Sequence, residues 1–193
     1  EVEEFPNWQK TNEAYYDKKY AEVKQLVAGG AADWKVLRSW SLDDKLATHS
    51  YDYVLANVLN AGTGSGCPLY TDSVKVHYSG RLLPSTSYAK GYIFDQSWQG
   101  EYNLSTMKPR AFAVSGVVKG FATALQNMHI GDRWQVYMPH QLAYGSSDKP
   151  GAAYSTLIFD ITLVGYFRKT STAAAPSKDG AAQQQTTGYW VYE

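Results

Sequence analysis

The chain has 193 residues, 44% of them hydrophobic and 19% charged, long enough to bury one core unaided and too apolar to be disordered throughout. Eighteen Lys and Arg balance eighteen Asp and Glu. That balance removes the attraction on which nucleic-acid binding depends, and no run of about 18 apolar residues could cross a bilayer. The single cysteine, Cys67, allows neither an internal disulfide nor a thiolate zinc cluster. The chain opens EVEEFPNWQK without initiator Met or apolar targeting stretch, as expected either of a mature form or of a chain trimmed of its targeting segment.

Asn12 reads as the cap of a helix from about Glu13 to Ala28, where Tyr16, Tyr20, Val23 and Val27 fall at helical spacing and Gly29 and Gly30 supply a stop. That face is expected to dock, because a lone helix of this length is marginal in water. Trp34 to Trp40 and Tyr51 to Leu59 read as strands. GTGSGCP, from Gly62, lacks the Lys and the following helix of a phosphate loop, so it reads as a turn. The period-2 signal returns in VKVHYSGRLL, with Val74, Val76 and Tyr78 on one face, and a Tyr- and Gly-rich insertion from Pro84 to Tyr92 precedes IFDQS. Phe121, Leu125 and Met128 fall on one face of a short helix. Trp134, Val136 and Met138 alternate in RWQVYMP, and Leu157, Phe159, Ile161 and Leu163 alternate in the last strand. Strands, one short helix, then strands argue for an α+β domain with an antiparallel sheet wrapped on a single helix. Thr170 to Gly188 holds no large apolar residue and reads as a polar tail. It ends in Tyr189, Trp190, Val191 and Tyr192, a cluster expected to dock on the body or on a neighbour.

The usual catalytic patterns fail. His49, His77, His129 and His140 show no HxH or HxxxH pairing, so no metal site is expected. Ser115 lacks the GxSxG elbow, Cys67 has no motif joining it to a histidine, and Asn103-Leu104-Ser105 is a three-residue sequon that means little alone. What remains is a largely apolar set: Tyr78, Phe94, Asp95, Val117, Val118, Phe121, Tyr144 and Phe159. Taken singly, the three Phe residues are core, Tyr78 is a half-buried sheet residue, Asp95 is a turn residue and Tyr144 closes a loop.

Their settings, VHYSG, YIFDQS, VSGVVKGF, LAYGSSDKPG and TLIFD, follow one another in an order that resembles the FKBP-type peptidyl-prolyl cis/trans isomerases, over about Gly62 to Arg168. The insertion and closing segment look most like cell-envelope members from Bacteroidetes-type bacteria. The resemblance implies an FKBP-like antiparallel half-barrel sheet on one short helix, spanning 62–169. An extension (1–61) precedes it, carrying the helix and short strands, the last joining the sheet, and a polar tail (170–193) follows. It implies a proline pocket floored by Phe121 and lined by Phe94, Val117, Val118 and Phe159. The Val118 N–H and the Tyr144 hydroxyl would bind carbonyls flanking the proline, and Asp95 would be held by Tyr78. Implied partners are proline-containing peptides or unfolded proteins and macrolides of the FK506 and rapamycin kind, with no cofactor, and the implied location is the periplasm or cell envelope.

The chain departs from the family pattern at Arg110, where a Phe is usual, at Gly116, where an acidic residue is usual, and in a shorter loop after Pro150 that offers Ala152, Ala153 and Tyr154. A shallower wall is expected. Two other readings stay open: a non-catalytic peptide-binding module retaining the fold, and a holdase chaperone using an apolar surface in Pro84 to Met107.

Overall fold

The structure, a computed structural model, describes residues 1–176, 178–180 and 182–193, with backbone alone at 172–176 and 182–185. Eight strands form one antiparallel sheet: β1 (Trp34–Arg38), β2 (Tyr53–Asn60), β3 (Ser73–Arg81), β4 (Ile93–Gln96), β5 (Arg110–Ala113), β6 (Arg133–Met138), β7 (Leu157–Pro176) and β8 (Ala182–Val191). Their spatial order is β1-β2-β6-β7-β3-β4, with β5 beside β4 on the free edge of β3 and β8 pairing with β7. Val74, Val76 and Tyr78 on β3, Trp134, Val136 and Met138 on β6, and Leu157, Phe159, Ile161 and Leu163 on β7 are all buried. The period-2 pattern thus marks the concave face. There the sheet packs on the short helix α2 (Lys119–Leu125), whose Phe121, Ala122 and Leu125 are buried.

The N-terminal helix α1 (Trp8–Ala28) covers the opposite face. Leu55, Tyr137 and Ile158 are paired in register across β2, β6 and β7, so they share that outer face and are nonetheless buried. Lys19 of α1 sits 5.1 Å from the ring centres of both Trp34 and Tyr137. The Tyr16 hydroxyl donates to the Tyr53 carbonyl, and the Tyr20 ring lies 5.7 Å from that of Tyr53.

Two details of this helix differ from the sequence expectation. It starts at Trp8, after Asn7 in the left-handed region (φ 47°), and Asn12 is an interior, fully buried residue rather than a cap. Its side chain serves a tertiary contact: Nδ2 donates to the Trp8 carbonyl, and Oδ1 accepts from the Thr156 N–H at 2.8 Å. Val27, expected on the docked face, is 39% exposed, whereas Val23 one turn earlier is fully buried, so the docked part of the face ends before the last turn. Asn12→Ala leaves the buried Thr156 N–H without its acceptor and is expected to lower unfolding free energy by about 1–3 kcal/mol in a urea melt.

The segment expected as a polar tail is corrected outright. β7 runs on through Thr170 to Pro176, and β8 returns antiparallel beside it, from Pro176↔Ala182 to Tyr166↔Val191. The aromatic end docks on the body. Lys75 lies 4.2 Å from the Trp190 ring centre and donates to the Tyr192 hydroxyl at 2.7 Å. The Tyr192 ring sits over Gly165, where a Cβ would come within 2.6 Å of it.

On the outer face, His77 is 4% exposed beneath the 98–107 loop, whose Tyr102 hydroxyl bonds Thr162 Oγ1 at 2.9 Å. Its Nδ1 has no hydrogen-bond partner among the described residues, and burial holds its pKa below the usual 6.5. The unfolded chain therefore binds more protons below that pH, so this contribution to stability is full above 6.5 and is lost as pH falls through the folded value. The melting temperature should fall between about pH 7.5 and 5.5, and less steeply in His77→Asn. Equal slopes would clear the imidazole of any role.

Candidate proline-binding site

Three phenylalanines from three elements meet at near right angles over the concave face. Phe121 of α2 and Phe159 of β7 have ring centres 5.1 Å apart at 86°, and Phe94 of β4 stands 5.6 Å from Phe159 at 85°. This edge-to-face arrangement directs ring hydrogens at neighbouring π faces, the favoured geometry for aromatic pairs. Tyr78 joins from β3, with its ring centre 6.0 Å from Phe121 and 5.5 Å from Phe112. Tyr144, in the loop after the short 3-10 turn His140–Leu142, meets Phe94 edge-on at 6.4 Å.

Gly80 explains how the walls come so close. It follows Tyr78 on the inward side of β3, and a Cβ there would lie 2.6 Å from the Phe159 ring and 2.7 Å from the Phe94 ring. The two rings rest on bare backbone.

The polar rim is a triangle built by sheet registry. Gly80 pairs with Asp95 across β3 and β4, and Val76 pairs with Arg110 across β3 and β5. The Tyr78 hydroxyl donates to Asp95 Oδ2 at 2.5 Å, while Arg110 Nη1 donates to the Tyr78 hydroxyl at 2.7 Å and to Asp95 Oδ1 at 3.3 Å. Asp95 and Arg110 are each about half exposed, so their attraction is screened and the pair orients more than it stabilises. Burial, then the Asp95 hydrogen bond, pushes the Tyr78 pKa up to about 12. Burial and the Asp95 charge also raise that of Tyr144. Both hydroxyls therefore remain donors well above neutral pH.

The extension braces both loops flanking the site. On one side Trp8 Nε1 donates to Ser155 Oγ at 2.7 Å, and His140 Nε2 lies 2.9 Å from Glu13 Oε1. On the other, Glu4 accepts from the Ser85 hydroxyl at 2.6 Å and from both the N–H and the hydroxyl of Ser87 at 2.8 and 2.6 Å.

A family profile described as FKBP-type peptidyl-prolyl cis-trans isomerase matches residues 67–164, just over half of the chain. The chain belongs to this family. The 22 kDa FKBP-type peptidyl-prolyl cis-trans isomerase of Escherichia coli is 35% identical over 109 residues, covering 55% of this chain and 47% of the relative. An outer membrane protein MIP of Legionella longbeachae is 38% identical over 109 residues, covering 55% of this chain and 41% of its own. The chain thus spans about half the length, or less, of these curated relatives. The crystal structure of the three FKBP domains of wheat FKBP73 superposes with a TM-score of 0.51 at 24% identity, over 69% of this chain and 50% of that one, a likeness of fold.

Of the FKBP pocket positions expected from the sequence, Tyr78, Phe94, Asp95, Phe121, Tyr144 and Phe159 form one connected cluster. Val117 and Val118 are partly buried against the same core, with Val118 at the cap position of α2. Three neighbours were not among the expected site residues. Arg110 stood out as a departure, but its pairing with Tyr78 and Asp95 depends on a register that spacing does not show. Phe112 had a signal, since its inward phase in Arg110–Ala113 puts it opposite Val74. Gly80 had none.

Proposed function

We propose that this chain binds X-Pro segments in the Phe94, Phe121 and Phe159 cluster and catalyses their cis/trans isomerisation. The observation that carries the reading is a cluster of edge-to-face aromatic rings with one polar rim and no nucleophile among its residues. Isomerisation needs none, because the reaction is a rotation opposed by a barrier of about 18–20 kcal/mol that comes from amide resonance. Twisting removes that resonance and leaves the carbonyl less polar, so an apolar wall favours the twisted imide over the planar one. This is differential binding of the transition state. Tyr144 and the Val118 N–H donate to the carbonyls on either side of the proline. Tyr78 and Arg110 fix Asp95 at the rim, where it orients the turning carbonyl.

A protease-coupled or NMR exchange assay on a panel of X-Pro peptides tests the proposal. Absence of turnover, with binding retained, would favour the non-catalytic module. Tyr144→Phe removes one neutral donor and little volume, so turnover should fall by about 1 kcal/mol, or roughly fivefold. Because burial and the Asp95 hydrogen bond push the Tyr78 pKa up to about 12, and burial and the Asp95 charge raise that of Tyr144, any loss of turnover from tyrosine ionisation should be centred above 10.0, the ordinary tyrosine value. A drop centred at 10.0 would show that neither burial nor Asp95 perturbs the hydroxyl that turnover depends on. Macrolides of the FK506 kind should compete with the peptide for the same rings.

Placement in the periplasm or cell envelope is part of the proposal. It is supported by the name of the Legionella relative and agrees with the finding that, among the described residues, no helix is long and apolar enough to cross a membrane. Fractionation of cells expressing the native gene tests it.

A further inference from the structure

The β7–β8 hairpin carries a second feature, far from the pocket. β3 pairs with β7 only as far as Phe167, and from Arg168 onward β8 is the only neighbour of β7 among the described strands. Arg168 and the Lys169 N–H are still tied to the body through Asp72, and at about 3.3 Å per residue the stretch from Thr170 to Pro176 extends roughly 20 Å beyond it. It has no core of its own. Its sequence between Thr170 and Gly188 is Ser, Thr, Ala, Gln and Gly, with Lys178 and Asp179 near the turn and one proline, Pro176.

A ribbon of two strands is marginal in water, and three or more are needed for independent stability. The two edges of this one are unlike. The β7 edge is occupied at its foot, where Asp72 takes up Arg168 and the Lys169 N–H, and carries at its far end Pro176, which has no N–H to pair. The β8 edge from Ala182 to Tyr189 reads AQQQTTGY, with no charge, no proline and eight residues of length. Long uncharged edges are what natural sheets ordinarily avoid exposing.

We propose that the β8 edge pairs antiparallel with the β8 edge of a second copy of this chain, across a two-fold axis near Gln185 and Thr186. A second copy is favoured over a passing peptide on three grounds. Antiparallel pairing of one strand with itself is self-complementary under a two-fold axis. It turns two marginal ribbons into one four-stranded sheet, β7-β8-β8-β7, whereas a peptide would add a single strand. A chain of net charge zero also meets its copy without long-range repulsion. The contact is an edge without a large apolar face, so the association is reversible and of the small-interface class. The pockets of the two copies would be held on arms pointing apart, each free to take a peptide.

Sedimentation of the full chain from about 5 to 500 µM, the range in which small interfaces titrate, tests this. The weight-average mass should climb from 21.5 kDa toward twice that value, with β8 amides gaining protection from exchange in step. The double variant Gln184→Lys, Thr186→Lys places like charges beside the axis and should stay monomeric with peptide turnover unchanged. A parent that remains at 21.5 kDa throughout overturns the proposal. So does a double variant that associates as tightly as the parent, since the interface then lies elsewhere. Protection of β8 amides only on adding an extended polypeptide, with the chain monomeric, also overturns it and assigns the edge to a client strand.

Discussion

Phe159→Ala is expected to lower the unfolding free energy by about 3–5 kcal/mol, the usual cost of emptying a buried phenylalanine site, and to reduce turnover of X-Pro peptides by at least about tenfold. The side chain is 4% exposed and touches three other rings of the cluster, Tyr78, Phe94 and Phe121. Its loss therefore leaves a cavity at the centre of the pocket rather than at its rim. The apolar wall carries the preference for a twisted imide, so this substitution should cost more activity than Tyr144→Phe, which removes one hydrogen bond. A urea melt separates the two effects: turnover is compared at a denaturant concentration where parent and variant are both folded. If a folded Phe159→Ala protein turns over peptide as fast as the parent, the proline ring is bound somewhere else, whatever the family membership.

The parts legible in the sequence are those where one physical cause produces both pattern and place. Alternation of Val74, Val76 and Tyr78, and of Leu157, Phe159, Ile161 and Leu163, follows from burial of one sheet face, and these residues are buried. The ring cluster was legible through the order of its short motifs. What escaped has identifiable causes. Asn12 looked like a cap because Asn is a capping residue, yet its amide is used between helix and loop, a contact 144 residues away in sequence. The 170–188 segment lacks large apolar side chains, so its composition offers no reason for order. Its strands are set by backbone pairing and by the anchoring of Trp190 and Tyr192 on Lys75. Arg110 looked like damage to the pocket wall, and registry across β3, β4 and β5 makes it the third corner of the Tyr78 and Asp95 pair.

Gly80→Ala should damage function more than its single added methyl suggests. The added Cβ would sit 2.6 Å from Phe159 and 2.7 Å from Phe94, inside any real contact distance, and both neighbours are stiff aromatic rings. One or both must move. Overpacking of this kind costs typically about 1–3 kcal/mol of stability, which a domain with a normal margin survives. Activity should suffer out of proportion, because displacing pocket walls by about 1 Å can cost on the order of a hundredfold in rate. The rise should appear in KM as well as in kcat, since the same rings grip the ground state. A double-mutant cycle sharpens the test. Phe94→Leu removes the ring on one side of the new methyl, so Gly80→Ala should cost less stability in that background than in the parent, a coupling of about 0.5–3 kcal/mol. Additive costs, or a Gly80→Ala protein with unaltered melting and turnover, would mean that the rings do not rest on the β3 backbone, and the geometry assigned to the pocket would fall with them.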